Sequence, residues 1–318
     1  MAMIVDFAAQ AAQMFLVLVI APLVLGITRK VRARALRRVG APVWQPYLDL
    51  WKLLHKEAVI AHNASWIYRA APYLVFAVTW VAAALVPTYA SNLMFSWSAD
   101  LIALVALLAT GRFALALAGM DVGTSFGGIG SSREMMIASL AEPAMLLVVF
   151  TVALIAGTTQ LSGVAEAFAS GEHGLRVSLA LALGAFILLA LAENARIPID
   201  NPATHLELTM VHEAMVLEYS GRHLAMIEAA AALKLVLYFS LLACLFFPFG
   251  MATADKSLAA LGLGLLAYLG KIGLLAVLLP IGETAIAKMR VFRYPIFLGG
   301  AFAAGALAVF LLFVSRSF

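Results

Sequence analysis

The stretch LRVSLALALGAFILLALA, Leu175 to Ala192, runs directly into ENARIPIDNPATHLELTMVHEAMVLEYSG, Glu193 to Gly221. The first part is apolar and close in length to the roughly 20 residues that a helix needs to cross a bilayer core. The second part contains five acidic residues and two histidines. A chain with only 12% charged residues thus gathers carboxyl groups where a membrane-spanning segment ends.

The composition indicates that the whole chain of 318 residues lies in a membrane, since 64% of it is hydrophobic. A globular domain has about 25% charged residues. Apolar windows of spanning length recur throughout, which predicts an all-α, polytopic integral membrane protein with about eight transmembrane helices. The predicted spans are 4–27, 67–89, 98–120, 133–157, 175–193, 223–249, 257–281 and 294–315. We expect one membrane domain over 1–318, with the first span retained rather than cleaved.

The distribution of basic residues predicts the topology. Fifteen of the 21 lysines and arginines lie in the odd-numbered connections between spans. Because basic loops stay in the cytoplasm, both termini are expected on the outer side of the membrane. The cytoplasmic loops would cover about 28–66, 121–132, 194–222 and 282–293. This topology accounts for the net charge of +4, so the charge gives no indication of nucleic-acid binding.

Two loop segments have recognisable patterns. In QPYLDLWKLLHKE, apolar residues recur at helical spacing from Tyr47, while Asp49 and Lys52 lie on the opposite side. This predicts an amphipathic helix in the headgroup region, which could also form the wall of an entrance for a lipid-soluble ligand. GMDVGTSFGGIGSSRE is rich in glycine and serine, but no strand precedes it, so a phosphate cradle is disfavoured. We expect a tight turn in which Ser131 caps the next helix and Glu134 closes a capping box.

Several ionisable residues lie inside the predicted spans. Arg112, Glu142, Lys234 and Lys271 lie well away from the span ends, and Glu228 and Glu283 lie nearer to them. Each such group costs at least roughly 2.5 kcal/mol on insertion scales, so these groups normally face protein or water and mark a pathway. Glu142 precedes Pro143, which frees a backbone carbonyl beside the carboxylate. The alternative is a set of static ion pairs that hold helices together.

The acidic stretch after the fifth span predicts a new helix. Pro198 and Pro202 exclude a regular helix across IPIDNPAT, and Thr204 with Glu207 forms a capping-box pattern. The helix would carry Glu207 and Glu218 on one face and His205, His212 and Tyr219 on another. Carboxyl groups crowded at a membrane rim cannot all ionise freely, so some should exchange protons near neutral pH. A polar docking surface for a soluble partner is the equal alternative.

A metal site is disfavoured in this stretch. His205 and His212 are two helical turns apart, about 10 Å, which is too far for one ion. Val216 stands where a zinc-binding pattern would need a second histidine after His212. The single cysteine, Cys244, cannot hold an iron–sulfur cluster. We therefore expect no metal and no redox cofactor in this chain.

Three segments together carry a family resemblance. RRVGAPVWQPYLDLWKLLHKE, GTSFGGIGSSREMMIASLAEPAMLL and ENARIPIDNPATHLELTMVHEAMVLEYSG, in this order, resemble the membrane subunit of group 4 membrane-bound nickel–iron hydrogenases. The likeness is to the formate hydrogenlyase and hydrogenase 4 type. That family is homologous to the complex I membrane subunit of the quinone-reducing module, the NADH dehydrogenase subunit 1 family.

The resemblance implies a non-catalytic membrane subunit of an oxidoreductase complex in the bacterial plasma membrane, with its termini on the periplasmic side. It would anchor the peripheral hydrogenase large and small or iron–sulfur subunits, contact antiporter-like membrane subunits, and couple the redox reaction to proton or sodium translocation. The nickel–iron centre and the iron–sulfur clusters would belong to the partners. The resemblance implies a proton path through Glu142, Glu193, Asp200, Glu207, Glu213 and Glu218, and we add Glu228, the ionisable residue near the start of the sixth predicted span. The residues expected to dock partners or line the funnel are Asp49, Lys52, Asp121, Arg133, Arg196, His205, His212 and Tyr219.

One departure from the complex I pattern favours the hydrogenase branch. After the RxPxD core, complex I subunits carry further acids and a glycine where this chain has NPATHLELTMVHEAM, which argues against quinone binding. The alternatives are a quinone-chamber subunit of a complex I relative and a free-standing secondary transporter. The absence of an internal repeat counts against the transporter.

Overall fold

The structure is a computed structural model that describes residues 2–171, 176–197, 200, 211–253, 257–286 and 294–317, with side chains from residue 6 to residue 315 of these ranges. The membrane-spanning helices are α1 (Ala2–Ala35), α3 (Trp66–Leu85), α4 (Leu101–Asp121), α5 (Ser125–Ala156), α7 (Val177–Glu193), α9 (Gly221–Phe246), α10 (Leu258–Ala285) and α11 (Tyr294–Ser317). The shorter helices are α2 (Gln45–Leu54), α6 (Leu161–Ala169), α8 (His212–Val216) and a 3₁₀ turn at Ser96–Ser98.

The predicted all-α membrane fold is confirmed. Seven of the described helices are long and apolar enough to cross a bilayer, and α7, with 17 residues, is shorter. Each of the eight predicted spans corresponds to one of these helices. The amphipathic helix predicted after Pro46 is α2, with the proline in its first turn. Helix α6 was not among the predicted elements.

Helix α9 is at the centre of the bundle. It packs against α1, α2, α3, α6, α7 and α10, and the apolar part of its length is 78% buried. Helices α3, α4 and α5 follow one another around it, and α11 packs against α5 and α7. Helix α10 contacts α1 and α9, and its apolar window is only 22% buried. Arg112, in the middle of α4, is buried within this bundle.

Buried glutamines hold the end of α3. The Gln13 side-chain amide donates to the carbonyl oxygens of Ala84, at 2.7 Å, and Val86, at 2.9 Å. Gln10 donates to the same Ala84 oxygen at 3.1 Å. The last carbonyls of a helix have no partner within it, so these amides satisfy groups that would otherwise be unpaired inside the protein.

The connection between α4 and α5 is shorter than predicted. Helix α5 begins at Ser125 with Thr124 as its cap, so most of the loop predicted at 121–132 is helical, and the capping role predicted for Ser131 is wrong. The Ser131 hydroxyl is buried and donates to the carbonyl of Ala116 at 2.9 Å. A Cβ atom on Gly127 would lie 2.1 Å from the Gly119 carbonyl oxygen. Glycine thus lets α5 cross close to α4, and this packing outweighs the low helix propensity of the segment.

Helix α1 continues to Ala35, beyond the predicted end of the first span at residue 27, so the first part of the connection predicted at about 28–66 is helical. The helix predicted to carry both His212 and Tyr219 is not formed as one element. Helix α8 ends at Val216, and the Tyr219 amide donates to the Val216 carbonyl at 2.9 Å before α9 begins at Gly221. The predicted positions of Glu207 and His205 lie outside the described residues.

Candidate functional site

A single guanidinium, that of Arg112 in the middle of α4, joins three carboxyl groups from two other helices. Its Nη1 donates to Oε1 of Glu142 at 3.2 Å, and its Nε lies 3.5 Å from Oε1 of Glu134. Its Nη2 pairs closely with Oε1 of Glu193 at the end of α7. Arg112 itself is buried, so its guanidinium meets these carboxyl groups between the helices of the bundle. We call Arg112, Glu134, Glu142, Glu193 and Lys234 the central cluster.

Lys234 of α9 completes the central cluster. Its Nζ lies 3.0 Å from Oε2 of Glu193, so Glu193 contacts both cations through different oxygens. The side chain of Glu193 is 6% exposed and that of Glu142 is 38% exposed. Three carboxyl groups therefore share two cations. With every group ionised, the cluster carries one net negative charge.

A small polar cavity adjoins the central cluster. It has a volume of about 90 Å³, large enough for a few water molecules. Its lining includes Arg112, Glu134, Glu193, Lys234 and His212. His212 belongs to α8, outside the membrane spans, so the cavity connects the cluster to the acidic stretch.

The acidic stretch is organised around Asp200. Its Oδ2 accepts hydrogen bonds from the backbone amides of Val211, at 3.2 Å, and His212, at 3.3 Å. This carboxyl group is buried and holds the start of α8 in place. Burial and the nearby Lys234 lower the pKa of His212, which favours its neutral form at neutral pH.

The pKa of the next residue, Glu213, is shifted in the opposite direction. Burial, followed by the neighbouring charges of Glu228 and Asp200, raises its pKa. A carboxyl group with a raised pKa can hold a proton closer to neutral pH than a solvated one. Glu218 is exposed on the chain after α8.

Glu228 belongs to a second polar cavity. This cavity of about 220 Å³ lies between α1, α2 and α9, and Asp49, Glu228 and Arg29 line it. Asp49 also accepts a hydrogen bond from the Gln45 amide at 2.9 Å. Lys52 of α2 is exposed.

Other predicted residues have structural contacts. Asp121 accepts a hydrogen bond from the Ser65 amide at 2.7 Å and so supports the start of α3. The Tyr219 ring stacks on Tyr68 with 4.1 Å between ring centroids, and its hydroxyl donates to the Tyr68 carbonyl at 2.9 Å. Tyr219 is buried, and the docking or funnel-lining role of both residues stays a prediction.

Two predicted arginines lie within α5 and just after α7. Arg133 lies on α5 close to Tyr294. Arg196 lies just after α7, with its Nη1 at 3.7 Å from Oε1 of Glu283. The central cluster thus contains two of the predicted proton-path residues, Glu142 and Glu193.

Sequence reasoning assigned Glu134 to a capping box and gave Arg112 and Lys234 no partner. The sequence did contain one indication of this pairing, because Arg112, Lys234 and Glu142 all lie deep inside predicted spans, where ionisable groups need partners. Within the described part of the chain, no three His, Cys, Asp or Glu side chains are grouped so as to hold a metal ion.

The fold and the central cluster are those of a multi-spanning membrane protein in which ion pairs connect side chains of different helices. A family profile described as NADH dehydrogenase matches residues 8–314, and the chain belongs to that family. It is 36% identical over 279 residues to Hydrogenase-4 component C of Escherichia coli K12, covering 88% of this chain and 87% of that protein. Formate hydrogenlyase subunit 4 of the same organism is 31% identical over 281 residues, covering 87% of this chain and 89% of that protein.

A solved structure shares the fold. One chain of the membrane-bound sulfane sulfur reductase, described as an archaeal respiratory membrane complex, matches with a TM-score of 0.77. The match covers 96% of this chain and 99% of that one, at 20% sequence identity. At this identity the likeness shows the fold alone.

Proposed function

We propose that this chain is the non-catalytic membrane subunit of a hydrogenase complex, where it anchors peripheral nickel–iron and iron–sulfur subunits and couples their redox reaction to proton translocation. The similarity to the two Escherichia coli subunits along most of their length supports this role. The antiporter-like membrane subunits are the neighbours through which ions would cross the membrane.

The observation that carries the proposed coupling is one guanidinium shared by three carboxyl groups beside a polar cavity. A proton on any one carboxyl changes how strongly the other two pair with Arg112, so their protonation states are coupled. A charge change at a docked redox partner would shift this balance electrostatically, since charges interact strongly where water is scarce.

The proposed path runs from the acidic stretch to the middle of the membrane. Protons enter at Glu213 and Asp200, pass His212 and the polar cavity, and reach Glu193. From there they exchange with Glu134 and Glu142 across the Arg112 guanidinium. Glu218 and Glu228 are assigned to the approach to this path, and the role of Glu207, which lies outside the described residues, stays a prediction.

The substitution Glu142→Gln tests the path, because it keeps the side-chain shape and removes the exchangeable proton. In vesicles that contain the whole complex, we expect proton pumping to fall about tenfold or more, since a positioned acid or base contributes 10²–10⁴-fold to proton transfer. Hydrogenase activity with an artificial electron acceptor should remain nearly intact. The measurements are pH-dye quenching in vesicles and dye reduction by the same preparation.

Glu166→Gln is the matched control, because the Glu166 carboxyl accepts hydrogen bonds from Ser91 and Asn92 far from the central cluster. Its pumping should match that of the wild type. Unchanged pumping in Glu142→Gln would remove Glu142 from the path and leave the chain as an anchor.

The topology proposed with this function places the basic loops in the cytoplasm and both termini in the periplasm, in a bacterial plasma membrane. The C-terminal ends of α1 and α7, the helix α2 and the acidic stretch then face the peripheral subunits. Lys52, exposed on α2, and Glu218 are among the exposed charged side chains that this face offers for docking.

A quinone-binding subunit is the second candidate. The cavity of about 220 Å³ lined by Asp49, Glu228 and Arg29 favours it, since it lies beside the amphipathic helix α2. The exposed Trp44 and Trp51 would hold α2 at the membrane surface, where a lipid-soluble head group could enter. Inhibition of the purified complex by a quinone analogue would support this candidate, and the absence of inhibition and of protection would reject it.

A further inference from the structure

A larger cavity, of about 310 Å³, lies between α7, α9 and α10, apart from the polar cavity of the central cluster. Helices α7 and α10 both pack against α9 and leave this space between them. Its walls are mostly aliphatic and aromatic, and include Ile187, Leu191, Leu235, Phe239, Leu275 and Leu278. Such a lining excludes a hydrated ion and favours a hydrocarbon chain.

The cavity opens sideways at the apolar outer surface of α7 and α10. Ile187 and Leu278 line it and are 42% and 50% exposed. On the outer face of α10, Leu274 and Ile281 are also largely exposed. A hydrocarbon chain can therefore enter from the bilayer without crossing an aqueous phase.

One end of the cavity is charged. Arg196 and Glu283 both line it, and their closest atoms are 3.7 Å apart, longer than a hydrogen bond. The Glu283 carboxyl is buried, and within the described residues its Oε1 has no hydrogen-bond donor. A guanidinium has five N–H donors, so this single long contact leaves most of the donor capacity of Arg196 unused in the described part of the chain.

The surroundings of Arg196 are positive. Burial and the nearby charges of Arg29 and Arg32 lower its pKa, while Glu283 has the opposite effect. Arg29 and Arg32 do not line the cavity, but their charges add to the positive potential at Arg196. An anion placed there would relieve the repulsion among the arginines and accept the unused N–H groups.

We propose that this cavity binds an anionic phospholipid, with one acyl chain between α7 and α10 and the phosphate group against Arg196. Basic pockets between membrane helices on the cytoplasmic side bind anionic head groups in this way. A neutral quinone would fill the apolar part but leave the charged end without an anion. The proposal is independent of the proton path.

Two substitutions separate the acyl and phosphate contacts. Arg196→Gln removes the cation and keeps a polar side chain. Gly282→Phe fills the cavity, because Gly282 lines it and an added Cβ there meets nothing within 4 Å. Gly270→Phe is the control, since Gly270 lies on the same helix with equally open space but outside the cavity lining.

The experiment uses the full complex, stripped of lipid with detergent and titrated with phosphatidylglycerol or phosphatidylcholine of the same chain length. Bound lipid is counted by native mass spectrometry. The wild type and Gly270→Phe should retain phosphatidylglycerol preferentially. We expect Arg196→Gln to weaken that preference about fivefold, the effect of one basic side chain near a lipid surface, and Gly282→Phe to reduce binding of both lipids.

Equal retention of both lipids by the wild type would overturn the phosphate contact. If Gly282→Phe retains as much of both lipids as the wild type does, the cavity is not the site of the acyl chain. If Arg196→Gln does not assemble, Gly282→Phe and its control still decide the proposal.

Discussion

At the scale of single residues, Arg112 is the side chain on which the interior of this membrane protein depends most. It lies in the middle of α4 and contacts carboxyl groups of α5 and α7, while Lys234 of α9 contacts the same Glu193. Removing one partner of a buried charge network is costly, because the remaining charges stay buried without compensation.

We therefore expect Arg112→Met to lower stability by about 3–5 kcal/mol. Part of the loss should return in the double variant Arg112→Met, Glu193→Gln, because neutralising Glu193 removes one uncompensated charge. The measurement is the thermal midpoint of the detergent-purified protein, followed by size-exclusion chromatography.

Lys271→Met is the control for this prediction. The Lys271 amine also lies in a membrane helix but donates to the backbone carbonyl of Phe247 at 2.7 Å, without a carboxyl partner among the described residues. Its loss should cost about 1 kcal/mol. Equal losses in the two variants would mean that Arg112 contributes no more than an ordinary hydrogen-bond donor.

At the scale of elements, α8 is held where it can present His212 and Glu213 because α5 carries a glycine beneath it. A Cβ on Gly130 would lie 2.9 Å from the Ala214 Cβ and 2.9 Å from the Val211 carbonyl oxygen. The stretch GTSFGGIG is thus a site of close helix contact rather than a turn or a phosphate cradle.

The substitution Gly130→Ala should push α8 away from α5 and cost about 1–3 kcal/mol, since overpacking forces a backbone shift. Gly128→Ala is the matched control on the same helix, where an added Cβ meets nothing within 4 Å. That variant should be neutral or more stable by up to about 1 kcal/mol, because alanine favours helix. Thermal midpoints compare the two, and a Gly130→Ala protein as stable as Gly128→Ala would contradict the close packing.

At the scale of the whole molecule, the proposed topology can be tested with thiol labelling. The one cysteine, Cys244, is buried, so the wild-type background should be low. Val39, on the basic side, and Trp97, between α3 and α4, are each 75% exposed. We expect a membrane-impermeant maleimide to label Trp97→Cys in intact cells and Val39→Cys only after permeabilisation. The reverse pattern would invert the topology.

The number, order and approximate ends of the membrane helices could be predicted from the sequence. A bilayer core sets the length of a spanning segment, and each apolar window carries this information locally. The amphipathic helix α2 was also predictable, because its apolar residues repeat within a few turns. The start of α5 was not predictable in this way. Its first turns pack against α4, so the helix begins at Ser125, before its apolar window.

By itself, then, the sequence determined the spanning helices and the presence of charges among them, since bilayer thickness acts on each segment separately. Only the tertiary structure decided that Arg112 meets Glu134, Glu142 and Glu193, which are 22, 30 and 81 positions away along the chain. It also decided that Glu134 is an interior carboxyl rather than a cap. Side-chain pairing across helices depends on their rotation and crossing, which no local pattern encodes.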